Sequence, residues 1–267
     1  MGLRTTRNFL DSEHEVLAVE VSGRGREALA EVGVEAVSAE EAIPKAEIVI
    51  LALPDNLIGP VSHSIEAHLQ PGTMLIALDP AAPYAGVLPK RDDLVYFVTH
   101  PCHPPVINDE TDPEARRDFF GGVKAKQHIV CALMQGPEEA YEQGEAIARQ
   151  MFRPVMRSHR VTVEQMAMLE PALSETVVCT LMTVIREAID EAVSRGVPEQ
   201  AATDFILGHI NVALGILFGF LPGGVFSDGA QKAIEQGKKD IIQPDWRKVF
   251  DMEAIQHSIE DITKRPD

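Results

Sequence analysis

Basic residues are in short supply: 24 lysines and arginines stand against 41 aspartates and glutamates, a formal net charge of −17 over 267 residues. So acidic a surface repels the phosphates of nucleic acid and of anionic lipid, and neither is expected as a partner. A local cationic cleft for a small acid is untouched by that argument. Cysteine is scarce as well. Cys102, Cys131 and Cys179 form an odd set without paired spacing, which excludes a disulfide framework and suits a reducing, cytoplasmic setting. The opening MGLRTTRNFL has charge but no apolar run behind it, so it does not read as a signal peptide. Repeats and low-complexity segments are absent. One long hydrophobic stretch, Phe205 to Phe226, is interrupted by His209, Asn211 and several glycines. It reads as a helix buried in a homodimer interface rather than as a membrane span.

What remains is ordinary globular composition, 45% hydrophobic and 24% charged. VLAVEV (Val16 to Val21), EIVILAL (Glu47 to Leu53), TMLIAL (Thr73 to Leu78), LVYFV (Leu94 to Val98) and HIVCAL (His128 to Leu133) are near-continuous apolar runs. Such runs suit strands covered on both faces, as in a parallel sheet. Helical pieces such as Arg24 to Val32 and Leu57 to His68 alternate with them. The expected class is therefore α/β, a Rossmann-like doubly wound parallel sheet. From about Gly136 only helical patterns are read, including a long one from Thr162 to Arg195 stopped by Gly196 and Pro198. The expected division is a dinucleotide-binding domain over 1–140 and an all-helical substrate and dimerisation domain over 141–267.

Residues 1 to 10 read as a helix, whereas a βαβ unit opens on a strand and a glycine-rich turn. The reading expects that strand and turn upstream of Met1, with Met1 and Gly2 as the last of the cofactor-binding fingerprint. Glu20, closing its strand, is placed to accept hydrogen bonds from ribose hydroxyls and to repel a 2′-phosphate, which favours NAD. A plain solvated strand-end acid fits its position equally. Arg24 and Arg26 leave a small opening for NADP. LALPD (Leu51 to Asp55) ends a strand at the edge where a cofactor lies, but by itself reads more readily as a proline turn after a buried strand.

THPCHPPV (Thr99 to Val106) is the segment richest in chemistry: two histidines and a cysteine in a loop stiffened by prolines. His103 reads as a metal ligand, and His100 as an acid–base group or third ligand; a turn with backbone-bonded histidines is the structural alternative. In LEPALSETVV (Leu169 to Val178), α-helical spacing puts Glu164, Met168, Pro171 and Glu175 on one face. That face continues as Val178 and Met182, so Glu175 is expected among buried groups and in need of a partner. Glu164 and Glu170 read as first-turn acids that favour the helix dipole. Cys131 and Cys179 read as small buried residues, and His128, His159 and His209 as structural.

With THPCHPPV, EQMAMLEPALSETVV, VSRGVP and FSDGAQKAI in view, the chain resembles the β-hydroxyacid dehydrogenase superfamily, which includes 6-phosphogluconate dehydrogenase. Within it, the resemblance is to the branch that oxidises and rearranges a branched sugar acid of the D-apionate type. The resemblance implies a Rossmann domain, a helical domain and a homodimer. Relatives open with a turn like GAGGKMG, whose final Met-Gly matches Met1-Gly2. The superfamily's helix motif KxxxN falls on Pro171 and Glu175, so the catalytic lysine is replaced and Glu175 stands where an asparagine meets substrate. That implies a site with His103 and Glu175 as ligands of a divalent metal, zinc before magnesium, open to substrate oxygens, with His100 and Glu175 in catalysis. Two other readings stay open: an NAD(P)-dependent dehydrogenase of another hydroxy acid, and a truncated, non-catalytic dimeric scaffold.

Overall fold

Alternation of side chains along each short apolar run decides how the sheet is covered. In the computed structural model, which describes residues 1–264, Met74, Ile76 and Phe97 point to one face and Leu75 and Tyr96 to the other, all essentially buried. Burying each such side chain contributes about 1.5–3 kcal/mol relative to exposing it. The strands are β3 (Ile48–Leu51), β4 (Met74–Ala77), β5 (Val95–Pro101), β6 (Gln127–Gln135) and β7 (Val155–Arg160), hydrogen-bonded in that order. A separate parallel pair, β1 (Ala18–Val19) and β2 (Ala36–Val37), precedes them. Helices α1 (Gly2–Phe9) and α6 (Ala140–Met151) supply Phe9, Tyr141, Ile147 and Met151 to the first face. Helix α4 (Asp55–Ile65) supplies Ile58 and Ile65 to the second, where Ala82 of the short helix α5 (Ala81–Tyr84) also packs. Helices α2 (Gly23–Ala30) and α3 (Ala39–Ala42) accompany the β1–β2 pair. The α/β, doubly covered reading holds.

Two details differ from expectation. The sheet is mixed, because β5 and β6 run antiparallel while the other neighbours are parallel. An apolar run carries no direction, and residues 102–126 between these strands hold no crossover α-helix, only the short 3₁₀ turn Ala115–Arg117. Strand β7 was not expected at all. Its sequence, VMRSHR, is polar and mostly exposed, as suits an edge strand.

By its contacts the chain forms two units, Met1–Pro171 joined by the stretch from Gln256, and Ala172–Ile255. The boundary falls after Pro171 rather than near residue 140 because α6 and β7 belong to the sheet layer. A continuous helix runs Val163–Ser194. It comprises α7 (Val163–Ala167), a π-helical segment Met168–Cys179 and α8 (Thr180–Ser194). A capping box starts it: the Thr162 hydroxyl accepts from the Gln165 N–H, and the Gln165 amide oxygen accepts from the Thr162 N–H. The second unit adds α9 (Glu199–Leu217) and α10 (Asp228–Ile241), and α11 (Met252–Thr263) ends in the first unit. Val163–Ser194 and Glu199–Leu217 are long and apolar enough to cross a membrane by length and composition. The first of them begins as a core helix, with Val163 and Met166 packed on Val98 and Ala132 of the sheet.

Candidate active site

Strand register places the first two functional groups. Ala77 of β4 lies opposite Val98 of β5. Two residues further along each parallel strand, on the same face, come Asp79 and His100 at the carboxyl edge of the sheet. Val98 packs under Val163 and Met166 of α7, so His100 turns toward the same helix. One turn beyond Met166, the helix presents Glu170. The three side chains converge: His100 Nε2 lies 3.9 Å from Asp79 Oδ2 and 3.9 Å from Glu170 Oε1. One donor atom from each falls within 4.8 Å of the others. All three residues belong to the first unit.

These distances are longer than hydrogen bonds and suit donors arranged around a common centre. The His100 ring supports that use. Its Nδ1 is 2.8 Å from the Pro101 carbonyl oxygen, which only accepts, so Nδ1 carries a proton and Nε2 faces the carboxylates, where the neutral imidazole would offer a lone pair. Asp79 is fixed as well, its Oδ1 accepting from the Ala81 N–H at 2.8 Å. Burial, reinforced by the Asp79 carboxylate and partly opposed by His103, pushes the Glu170 carboxyl up to about 7. A divalent cation would stabilise both carboxylates at once, and one imidazole with two carboxylates is a donor set that such ions accept.

His103 stands beside this cluster. Its ring meets that of His100 edge-on, with centroids 5.8 Å apart. Its Nδ1 is 3.0 Å from the Phe120 carbonyl oxygen, which again fixes the proton on Nδ1. Among the described residues it is the one non-glycine with positive φ, at 60°. A side chain in that left-handed region costs about 1–2 kcal/mol, met here by surrounding contacts.

Glu20 closes β1 with its carboxylate folded over the start of α2. Its Oε1 accepts from the Ser22 N–H at 2.7 Å, which holds the carboxyl below the usual range. Gly25 makes room for it, since a Cβ there would lie 2.3 Å from the Glu20 side chain. Arg26 is tied back to the Glu20 carbonyl at 2.8 Å. Helix α1 starts at Gly2 with Met1 as its cap and no acid in its first turn, which leaves its free N–H groups open to an anion. A Cβ on Gly2 would meet Ala52 at 3.6 Å, an ordinary contact, so the helix start sits close against the end of β3 without requiring glycine. Glu175 belongs to the second unit and is exposed, as are Val178 and Met182 on the face expected to be buried. Cys179, on the same face, is exposed rather than buried.

The family model for the phosphogluconate dehydrogenase (decarboxylating) C-terminal region matches residues 108–263. A D-apionate oxidoisomerase of Rhizobium rhizogenes is 56% identical over 98% of this chain and 96% of its own length. One from Cupriavidus necator is 55% identical over 98% and 95%. The chain belongs to the D-apionate oxidoisomerase family. A solved structure, described as a semialdehyde dehydrogenase NAD-binding protein from Cupriavidus necator in complex with calcium and NAD, matches with a TM-score of 0.96. It is 55% identical, and the match covers 98% of this chain and 95% of that one. Family membership makes the chain an enzyme of the oxidoreductase class with a Rossmann-like domain.

Within this oxidoisomerase-family chain, sequence reasoning found His100 but missed two of its companions. Asp79 sits in LDP directly after a strand and passes for turn chemistry. The signal that finds it is positional: it is level with His100 once the β4–β5 register is known. Glu170 was read as an acid serving the helix dipole. The helix that carries it is capped at Thr162, so Glu170 lies two turns in, beyond the first-turn position that the dipole reading assumes, and within the π-helical segment Met168–Cys179.

Proposed function

We propose that the protein oxidises and rearranges a branched sugar acid of the D-apionate type, with NAD as hydride acceptor and a divalent ion held by Asp79, His100 and Glu170. The observation that carries this reading is the convergence of those three side chains at the carboxyl edge of the sheet, where open α/β folds bind their ligands. Family membership supports the substrate class, and the calcium and NAD of the Cupriavidus necator structure support both co-ligands.

Each residue then has a physical task. Glu20 accepts hydrogen bonds from the adenosine ribose, and the start of α1 at Met1 and Gly2 faces the pyrophosphate. His100 offers Nε2 because Pro101 holds Nδ1–H, and Asp79 and Glu170 balance the ion's charge. NAD supplies the hydride acceptor, and the ion supplies Lewis acidity toward adjacent substrate oxygens. The oxidation removes a hydride from the carbon bearing the 2-hydroxyl, together with the hydroxyl proton, to give a 2-oxo acid. A carbon shift then gives the 3-oxo product. The imidazole favours zinc over magnesium. Glu175 keeps, as a proposal from the family motif, a role toward substrate. The exposed apolar faces of the second unit, including the cleft of about 650 Å³ lined by Ile185, Ile189, Phe205 and Ile206, support a homodimer.

The test is NADH formation from D-apionate, with product identification by mass spectrometry. Activity is then stripped by a chelator and restored by zinc, manganese, magnesium or calcium in turn. Release of an unrearranged oxo acid or of carbon dioxide rejects the rearrangement, and full activity in chelator rejects the ion.

A further inference from the structure

Residues 102–126 join β5 to β6, and their far half is tightly built. The Asp118 carboxylate accepts from the N–H groups of Val123, Lys124 and Ala125 at 3.1, 2.9 and 3.2 Å. Gly121 and Gly122 both take positive φ, and a Cβ on Gly121 would lie 2.6 Å from the buried Gln127 amide. Asn8 of α1 donates to the Gly122 carbonyl at 2.9 Å. This frame holds Phe120 outward, with the Arg4 guanidinium 5.3 Å from its ring centroid. One side chain links the frame to the site: His103, bonded to the Phe120 carbonyl and edge-on to both the Phe120 and His100 rings, each at 5.8 Å.

We propose that His103 is a positioning residue, whose Nδ1–H bond to Phe120 and edge contact with His100 lock the 118–126 loop and the His100 ring into one arrangement. The inference rests on the reading of Asp79, His100 and Glu170 as an ion site. Its logic is that of any outer partner of a ligand: the ring that must present Nε2 is held by its own Nδ1 bond and by what packs on its edge. The left-handed backbone at 103 is then the means by which the chain turns back from β5 to reach the loop.

The experiment compares wild type, H103A and H103N. Asparagine tolerates positive φ and keeps an amide donor, so it separates the bond and the backbone from the imidazole itself. Three quantities are read: Mn²⁺ affinity by titration, the chymotrypsin cleavage rate after Phe119 and Phe120, and kcat and KM with D-apionate and NAD. H103A is expected to weaken Mn²⁺ binding about 10–100-fold and to lower kcat by a similar factor. Cleavage at the loop should quicken and the KM for NAD should stay within about 2-fold. H103N is expected to recover most of each loss. Unchanged affinity and cleavage in H103A overturn the proposal. So does a loss of Mn²⁺ binding beyond about 1,000-fold that H103N does not restore, since His103 would then be a ligand itself. If wild type forms no NADH, the proposed function fails, while Mn²⁺ affinity and cleavage still judge His103.

Discussion

A carboxyl group set in partial burial beside a second carboxylate grips its proton more tightly, and Glu170 is so placed. Its pKa rises from 4.5 in the unfolded chain to about 7 in the fold. Between those values the folded state holds the extra proton, so Glu170's contribution is fully present below pH 4.5 and is lost as pH climbs through about 7. At about 1.4 kcal/mol per pH unit the full effect is roughly 3 kcal/mol. In chelator, urea unfolding of E170Q and wild type at about pH 5.5 and about pH 8.5 should show the variant gaining about 2–3 kcal/mol on wild type at the higher pH. An equal gap at both pH values contradicts the buried, crowded carboxyl. For turnover, removing a ligand should cost more than removing a ligand's support. D79N, H100A and E170Q are each expected to lose at least about 100-fold in kcat while NAD affinity, followed by fluorescence titration, is held. At this scale the sequence exposed the histidines, because two of them crowd a proline loop, and hid Asp79, whose significance exists only through its neighbour across the ladder.

Elements lean on one another through single contacts, and α6 meets β5 at Gly144. A Cβ there would lie 2.4 Å from the Phe97 ring, itself 1% exposed. G144A should therefore cost about 1–3 kcal/mol in urea unfolding, much of it recovered in G144A/F97L, where the smaller side chain yields space. If G144A unfolds like wild type, the helix does not sit as closely on the sheet as described. Expectation and structure agree for β3, β4 and β5, because near-continuous runs of Val, Ile and Leu mark strands covered on both sides. They part at β7, where Arg157, His159 and Arg160 mask an edge strand, and at the π-helical Met168–Cys179, where local winding, invisible to a fixed period, changes which residues share a face.

At the scale of the whole molecule, much apolar surface in the second unit meets water in a single chain: Leu217 is 67% and Phe218 68% exposed. Patches of this kind mark assembly sites. If the proposed homodimer forms through this surface, F218D is expected to shift sedimentation equilibrium at micromolar concentration toward the monomer, with the circular dichroism preserved; a wild-type monomer would remove the homodimer. The doubly wound fold was legible because hydrophobic period reports layering. The place where the chain parts into two units was not, since contacts rather than composition assign α6 and β7 to the sheet. The reversal of β6 has a consequence for how this scaffold is altered. A parallel crossover must travel back to the opposite rim, but an antiparallel return leaves and re-enters at the same rim. Residues 102–126 thus begin and end on the rim that carries Asp79, His100 and Glu170, so a change in this connection is felt at that rim before it reaches the rest of the ladder.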